Sequence, residues 1–162
     1  MELFFQDKTQ RELIELYVIT GGRPMYIELF AADTNLYAAI QHNVLNTSSY
    51  LYDEPIFLLQ QEVNEVCAYI FVIKAIAAGN SKLSAIATAM EVKQTSLSKY
   101  LKTLIDLDIL KREVPITVES PEKSKMGRYR IKDNYLRFWF TYIYPNRSYI
   151  ESGNSNIVMT KI

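Results

Sequence analysis

The sequence predicts a mainly α protein: a small helical bundle followed by a winged helix-turn-helix of three helices and a β-hairpin. Three observations predict it. Apolar residues recur at helical spacing from residue 10 to residue 105. The spacing changes near residue 110 and becomes strict alternation at 128–132. Glycine, proline or a polar cluster punctuates most of the changes. The expected division is a lid-like helical bundle over 1–60, a winged-helix domain over 61–133, and an aromatic helix opening a further domain over 134–162.

The elements follow in order. Leu13, Ile14, Leu16, Tyr17 and Val18 predict a short helix over 10–20, stopped by Gly21-Gly22 because glycine tolerates left-handed backbone. Pro24 suits the first turn of the next helix, Met25 to Phe30. Asp33 is the expected cap of a helix from Leu36 to Leu45, and another follows the polar break at 46–49. From Glu62, the residues Val63, Val66, Cys67, Ile70, Ile73 and Ala77 form one stripe, closed by Gly79-Asn80. Ser81 is the expected cap of a helix in which Leu83, Ile86, Ala87 and Met90 make a two-turn seam. A third helix has Leu97, Tyr100, Leu101, Leu104 and Ile105 on one side, and its other side shows Gln94, Thr95, Ser98, Lys99 and Lys102. Leu110, Val114, Ile116 and Val118 predict a strand, residues 120–127 a hairpin tip, and Arg128–Lys132 a second strand. That second strand sets Tyr129 and Ile131 on one face and three cations on the other. Residues 134–144 are aromatic nearly all round, which predicts a buried helix ended by Pro145. The last fifteen residues are weakly patterned and are expected to fray.

Composition narrows the function. No apolar run approaches the roughly 20 residues that span a bilayer, and no secretory signal opens the chain. Cys67 is the only cysteine, so an internal disulfide is excluded and a reducing cytoplasm is expected. Among apolar neighbours it reads as a small core side chain. The net charge is zero but polarised. Residues 1–80 carry four basic and ten acidic side chains, whereas residues 81–132 carry eleven and six. Two units with different surfaces are implied, the basic one suited to nucleic acid or to an acidic neighbour.

A short turn between the second and third helices of residues 62–105 is a helix-turn-helix signature, whose second helix can enter a major groove. Gln94 suits adenine edges, Thr95 and Ser98 lie on the same face, and Lys99 and Lys102 suit phosphate. On the hairpin, Lys123, Lys125, Arg128, Arg130 and Lys132 could track the DNA backbone. A solvated or protein-facing surface is the plain alternative, and Asp106 and Asp108 closely follow Lys102. Catalytic templates are missing. There is no P-loop pattern, and His42 is the only histidine, which leaves no triad and no His-rich metal site. Asp53-Glu54 and Glu62/Glu65 read as solvated helix-end charges. No catalytic residue, metal site or cofactor is expected in this chain.

Tyr17-x-x-Thr20-Gly21-Gly22-x-Pro24-x-Tyr26 resembles a stretch of the prokaryotic AAA-type ATPases of the STAND-like archaeal ATPase group. The resemblance continues through residues 51–59, 95–102, 127–140 and 144–147, in order. It implies a P-loop ATPase core elsewhere in the polypeptide that binds ATP and Mg, with this chain as lid, winged helix and the start of a restriction-nuclease-like domain. Gly22 and Pro24 would pack near the adenine. That group usually has glycine at the turns flanking the recognition helix. Here Glu91 and Asp108 stand there, so looser turns are expected. The implied role is a regulatory segment of a nucleotide-driven switch, with duplex DNA and a second copy of the chain as further partners. A stand-alone winged-helix transcription regulator and a protein-interaction scaffold are the alternatives.

Overall fold

The computed structural model describes residues 8–117, 124 and 126–162. The chain is mainly helical, with one two-stranded antiparallel ribbon among the described residues. It divides into two compact units, Met1–Gln61 with Asn134–Ile162, and Glu62–Asp133. Residues 134–162, set apart in the sequence reading, thus share a unit with the N-terminal helices. Their aromatic side chains supply much of its core.

In the first unit α1 (Gln10–Thr20) opens with a capping box. Thr9 Oγ1 accepts from the Glu12 N–H and Glu12 Oε2 accepts from the Thr9 N–H. Gly21 (φ 64°) and Gly22 (φ 79°) end it in left-handed backbone, and Pro24 starts α2 (Pro24–Ala31). Asn35, not Asp33, caps α3 (Leu36–Asn43), accepting from the Ala38 N–H at 2.9 Å. Asp33 instead accepts from Asn43 and lies 2.6 Å from His42 Nδ1. α4 (Tyr50–Glu62) contains Pro55, which has no N–H for the Leu51 carbonyl four residues back. The Tyr135 hydroxyl donates to that carbonyl, and Trp139 Nε1 donates to the next one, Tyr52, at 2.8 Å.

Tyr135 lies on α8 (Asn134–Phe138) and Trp139 directly follows it. The expected helix end at Pro145 does not occur. After α8 the chain widens into a π-helical turn over Trp139–Ile143, narrows to a 3₁₀ turn at Tyr144–Asn146, and continues as α9 (Arg147–Glu151). The wide turn makes room for the proline ring, the Tyr144 N–H reaches back to the Trp139 carbonyl, and Asn146 Nδ2 donates to the Tyr142 carbonyl. The C-terminal residues do not fray: α10 (Ser155–Met159) buries Val158, α9 buries Ile150, and Lys161 Nζ donates to Asn146 Oδ1.

In the second unit α5 (Val66–Ala77), α6 (Leu83–Ala89) and α7 (Gln94–Asp106) precede β1 (Leu110–Glu113) and β2 (Arg128–Ile131). α4 and α5 are separate helices, broken at 63–65. α5 therefore buries Tyr69, Ile70, Val72, Ile73, Ala75 and Ile76, and Cys67 is exposed rather than in the core. Ile86, Ala87, Leu97, Leu101, Leu104, Leu110 and Ile131 complete the buried set. Lys82 rather than Ser81 is the N-cap of α6. Strand pairing runs from Leu110↔Ile131 to Glu113↔Arg128, and the Ser81 carbonyl accepts from the Tyr129 N–H at 2.7 Å. The first strand is shorter than expected. Val114 lies beyond it, Ile116 is fully exposed, and Val118 and most of the hairpin tip lie outside the described residues.

The turns flanking α7 are not loose. Glu91 (φ 55°) and Asp108 (φ 60°) are the non-glycine residues with positive φ among the described residues. Each sits one place past a helix C-cap, Met90 or Leu107, and the next N–H closes back on the helix: Val92 to Ala87 O at 3.0 Å, and Ile109 to Leu104 O at 2.9 Å. This is the Schellman geometry, formed without the glycine it favours. Left-handed backbone costs an ordinary L-residue about 1–2 kcal/mol, part of which glycine's larger entropy loss offsets. Glu91→Gly should therefore stabilise the unit by about 0.5–1 kcal/mol, read as a higher urea midpoint at unchanged slope. Asp108→Gly should gain less, because Asp tolerates this conformation and its carboxylate holds Lys132 at 2.6 Å. A lower midpoint for Glu91→Gly would contradict the strain argument.

Candidate nucleic-acid interface

α7 has a sharp division of faces. Leu97, Leu101 and Leu104 are buried, and Gln94, Thr95, Ser98, Lys99 and Lys102 are all exposed on the outward side. The whole predicted polar face is thus presented by one helix. Its first turn has no acidic residue, and the N-cap, Lys93, makes no side-chain capping bond. A cation is unfavourable at the positive end of a helix dipole unless an anion approaches.

The cations are not equivalent. Lys99 Nζ lies 2.9 Å from Glu65 Oε2, which also accepts from the Tyr100 hydroxyl at 2.8 Å. These two hydrogen bonds, Lys99 first, hold the Glu65 carboxyl below its ordinary pKa, and Glu65 raises that of Lys99. Glu113 binds Lys111 at 2.7 Å and Arg130 at 2.8 Å, and hydrogen bonding to Lys111 is the main cause of its lowered pKa. Lys132 is held by Asp108. Lys82, Lys93, Lys102 and Arg128 have no carboxylate partner among the described residues. Exposed pairs are weakened by solvent screening, so a phosphate can compete for the paired cations. Lys123 and Lys125 lie outside the described residues.

Strand pairing sorts the ribbon into two faces. Lys111, Glu113, Arg128 and Arg130 share the outer one; Leu110, Arg112, Tyr129 and Ile131 share the other. Lys111 and Arg112 are the ribbon cations that sequence reasoning missed. Their place directly after the buried Leu110 was a usable signal. Lys82 and Lys93 were missed as well, although each directly precedes a helix.

Gly22 and Pro24 belong to the first unit. Asn134 Nδ2 donates to the Tyr17 carbonyl, and a Cβ on Gly22 would lie 3.2 Å from the Tyr17 ring. Pro24 is exposed. Tyr26, wholly buried, packs on the Tyr135 ring at 5.0 Å and donates to Glu54 at 2.6 Å. Glu54 is therefore a core carboxylate, not a solvated helix-end charge. Arg23 Nη1 donates to the same Tyr26 hydroxyl and its guanidinium lies over that ring. Asp53 is exposed as expected, and pairs with Arg147 at 2.9 Å. Arg147 also stacks over Tyr52, whose hydroxyl donates to Glu151. Burial, then that bond, push the Tyr52 pKa up to about 12. No group of three or more His, Cys, Asp or Glu residues suited to a metal occurs among the described residues, and no helix there is long and apolar enough to cross a membrane.

No known family model matches this chain, and no solved structure matches it. It is similar to an uncharacterized protein of Methanocaldococcus jannaschii, with 37% identity over 150 residues. That match covers 93% of this chain and 33% of the relative, so the chain spans about a third of the relative's length.

Proposed function

We propose that residues 62–133 form a winged helix that binds duplex DNA, with α7 in the major groove and the ribbon against the phosphate backbone. The observation that carries this reading is the outward face of α7. It is polar and cationic along its length, anchored from behind by three buried leucines, and set after a tight turn from α6. Gln94 has the chemistry to pair with adenine, and Lys93 and Lys102 to meet phosphate. The backbone bridge between Lys82 and Arg128 ties the ribbon to the α5–α6 connection, which favours one fixed recognition surface.

The first unit is, on the same reading, the lid of an ATP-binding protein of the AAA-type, STAND-like group, and the chain is its non-catalytic regulatory part. ATP and Mg would be held by a P-loop core outside this chain. The Gly21-Gly22 turn and the exposed Pro24 ring fit a lid contact with a base, since nothing bulky covers the proline.

Fluorescence-anisotropy titration of labelled duplex DNA tests the DNA-binding reading. With about four phosphate contacts, affinity should fall roughly a hundredfold between about 50 and 200 mM salt. A curve that ignores salt, or no binding at all, rejects duplex DNA and leaves the face to a protein partner.

A further inference from the structure

The start of α5 reaches across to α7 through one side chain, and the contact joins residues that lie apart in the sequence reading. From sequence, Glu65 reads as a solvated helix-end charge, and Tyr100 falls on the apolar side of α7. In the structure Glu65 is the N-cap residue of α5, yet its side chain makes no capping bond. Its Oε2 atom instead accepts from Lys99 Nζ at 2.9 Å and from the Tyr100 hydroxyl at 2.8 Å.

The two donors are built around one point. Tyr69, buried on α5, meets the Tyr100 ring edge-on, with centroids 5.0 Å apart and planes at 81°, which fixes where the hydroxyl ends. The Lys99 ammonium lies 4.6 Å from the centre of the Tyr100 ring, a cation–π contact that holds it beside that hydroxyl. An ammonium and a phenol hydroxyl that converge on one oxygen are donors of the kind that grip DNA phosphates. A carboxylate oxygen meets them with the same sign of charge and the same acceptor chemistry. Lys99 also belongs to the outward face of α7, so this point lies at the margin of the surface proposed to meet DNA.

Glu65 is not locked in place. The Glu65 and Lys99 side chains are 58% and 63% exposed, and an ion pair so open to water is screened and weak. The carboxylate can therefore swing out when another anion arrives, without uncovering the core.

We propose that Lys99 and Tyr100 form a seat for one backbone phosphate of the bound duplex, and that Glu65 occupies it until DNA displaces it. The inference rests on the DNA-binding reading and deepens it. Tyr100 becomes a phosphate donor, and Glu65 an internal competitor that lowers affinity from within the chain.

The test is anisotropy titration of the full chain with labelled duplex at several salt concentrations, for wild type, Glu65→Gln, Lys99→Gln and the two together. Glu65→Gln removes the competing charge and should tighten binding roughly two- to fivefold. In the Lys99→Gln background the same change should alter binding by less than about 1.5-fold, because no ammonium is left to release. Lys99→Gln itself should lower the salt slope by about 0.9. Tyr100→Phe keeps the ring against Tyr69, and added to Glu65→Gln it should weaken binding roughly two- to fivefold. Equal tightening by Glu65→Gln with and without Lys99 would mean general charge repulsion and overturns the seat. Unchanged affinity for Glu65→Gln, or on adding Tyr100→Phe to it, overturns the seat as well, while DNA binding stands. A wild-type curve insensitive to salt overturns both.

Discussion

Trp139→Ala should destabilise the first unit by about 3–5 kcal/mol, the largest single-residue effect expected in the chain. Trp139 is wholly buried, with the rings of Phe140 and Tyr144 at 5.0 and 5.5 Å. Alanine would leave a cavity at the widest turn of the C-terminal helix and remove the donor to the Tyr52 carbonyl. Whole domains are stable by only about 5–15 kcal/mol, so the variant should melt roughly 15–30 °C lower. Trp139→Phe keeps most of the apolar volume and should lose about half as much. Trp139 is the chain's one tryptophan, so far-UV circular dichroism, not tryptophan fluorescence, must follow the transition. A shift of only a few degrees for alanine would show that the π-helical turn closes around the gap.

The order of elements in residues 62–132 was legible because each has its own period. The Leu97–Leu101–Leu104 spacing can only be one helix face, and Arg128 to Lys132 can only alternate. The outward set on α7 followed from the same spacing. What stayed hidden depended on contacts distant in sequence or on backbone sign. Glu54 reads as a helix-end charge until Tyr26, 28 residues earlier, is seen to donate to it. Pro145 reads as a stop because the π-helical turn that accommodates it leaves no mark on periodicity. Glu91 and Asp108 adopt left-handed backbone that their residue types disfavour, imposed by Val92 and Ile109 closing back on the helices. Cys67 fell on the wrong face because a stripe drawn from Val63 crosses a break between two helices. At the candidate site, residue type marked the cations, but which of them already hold a carboxylate is a matter of geometry.

Glu54→Ala carries the second largest expected effect, about 2–4 kcal/mol, because it removes the carboxylate that the buried Tyr26 hydroxyl donates to. A hydrogen bond to a charged group is worth about 1.5–3 kcal/mol, and the vacated volume adds to it. Glu54→Gln keeps shape and an acceptor and should cost less, about 1–2 kcal/mol. Tyr26→Phe removes the hydroxyl shared by Glu54 and Arg23 and should cost a comparable amount. Together the two substitutions should cost less than their sum by about 1–3 kcal/mol, measured by urea denaturation of all four forms. The cycle bears on function as well as stability. Tyr26 follows Pro24 by two residues, so its bond to α4 fixes the turn proposed as the lid's contact with the nucleotide. Strict additivity would mean that Tyr26 and Glu54 act independently, and the turn would then be held by its glycines and by Asn134 instead.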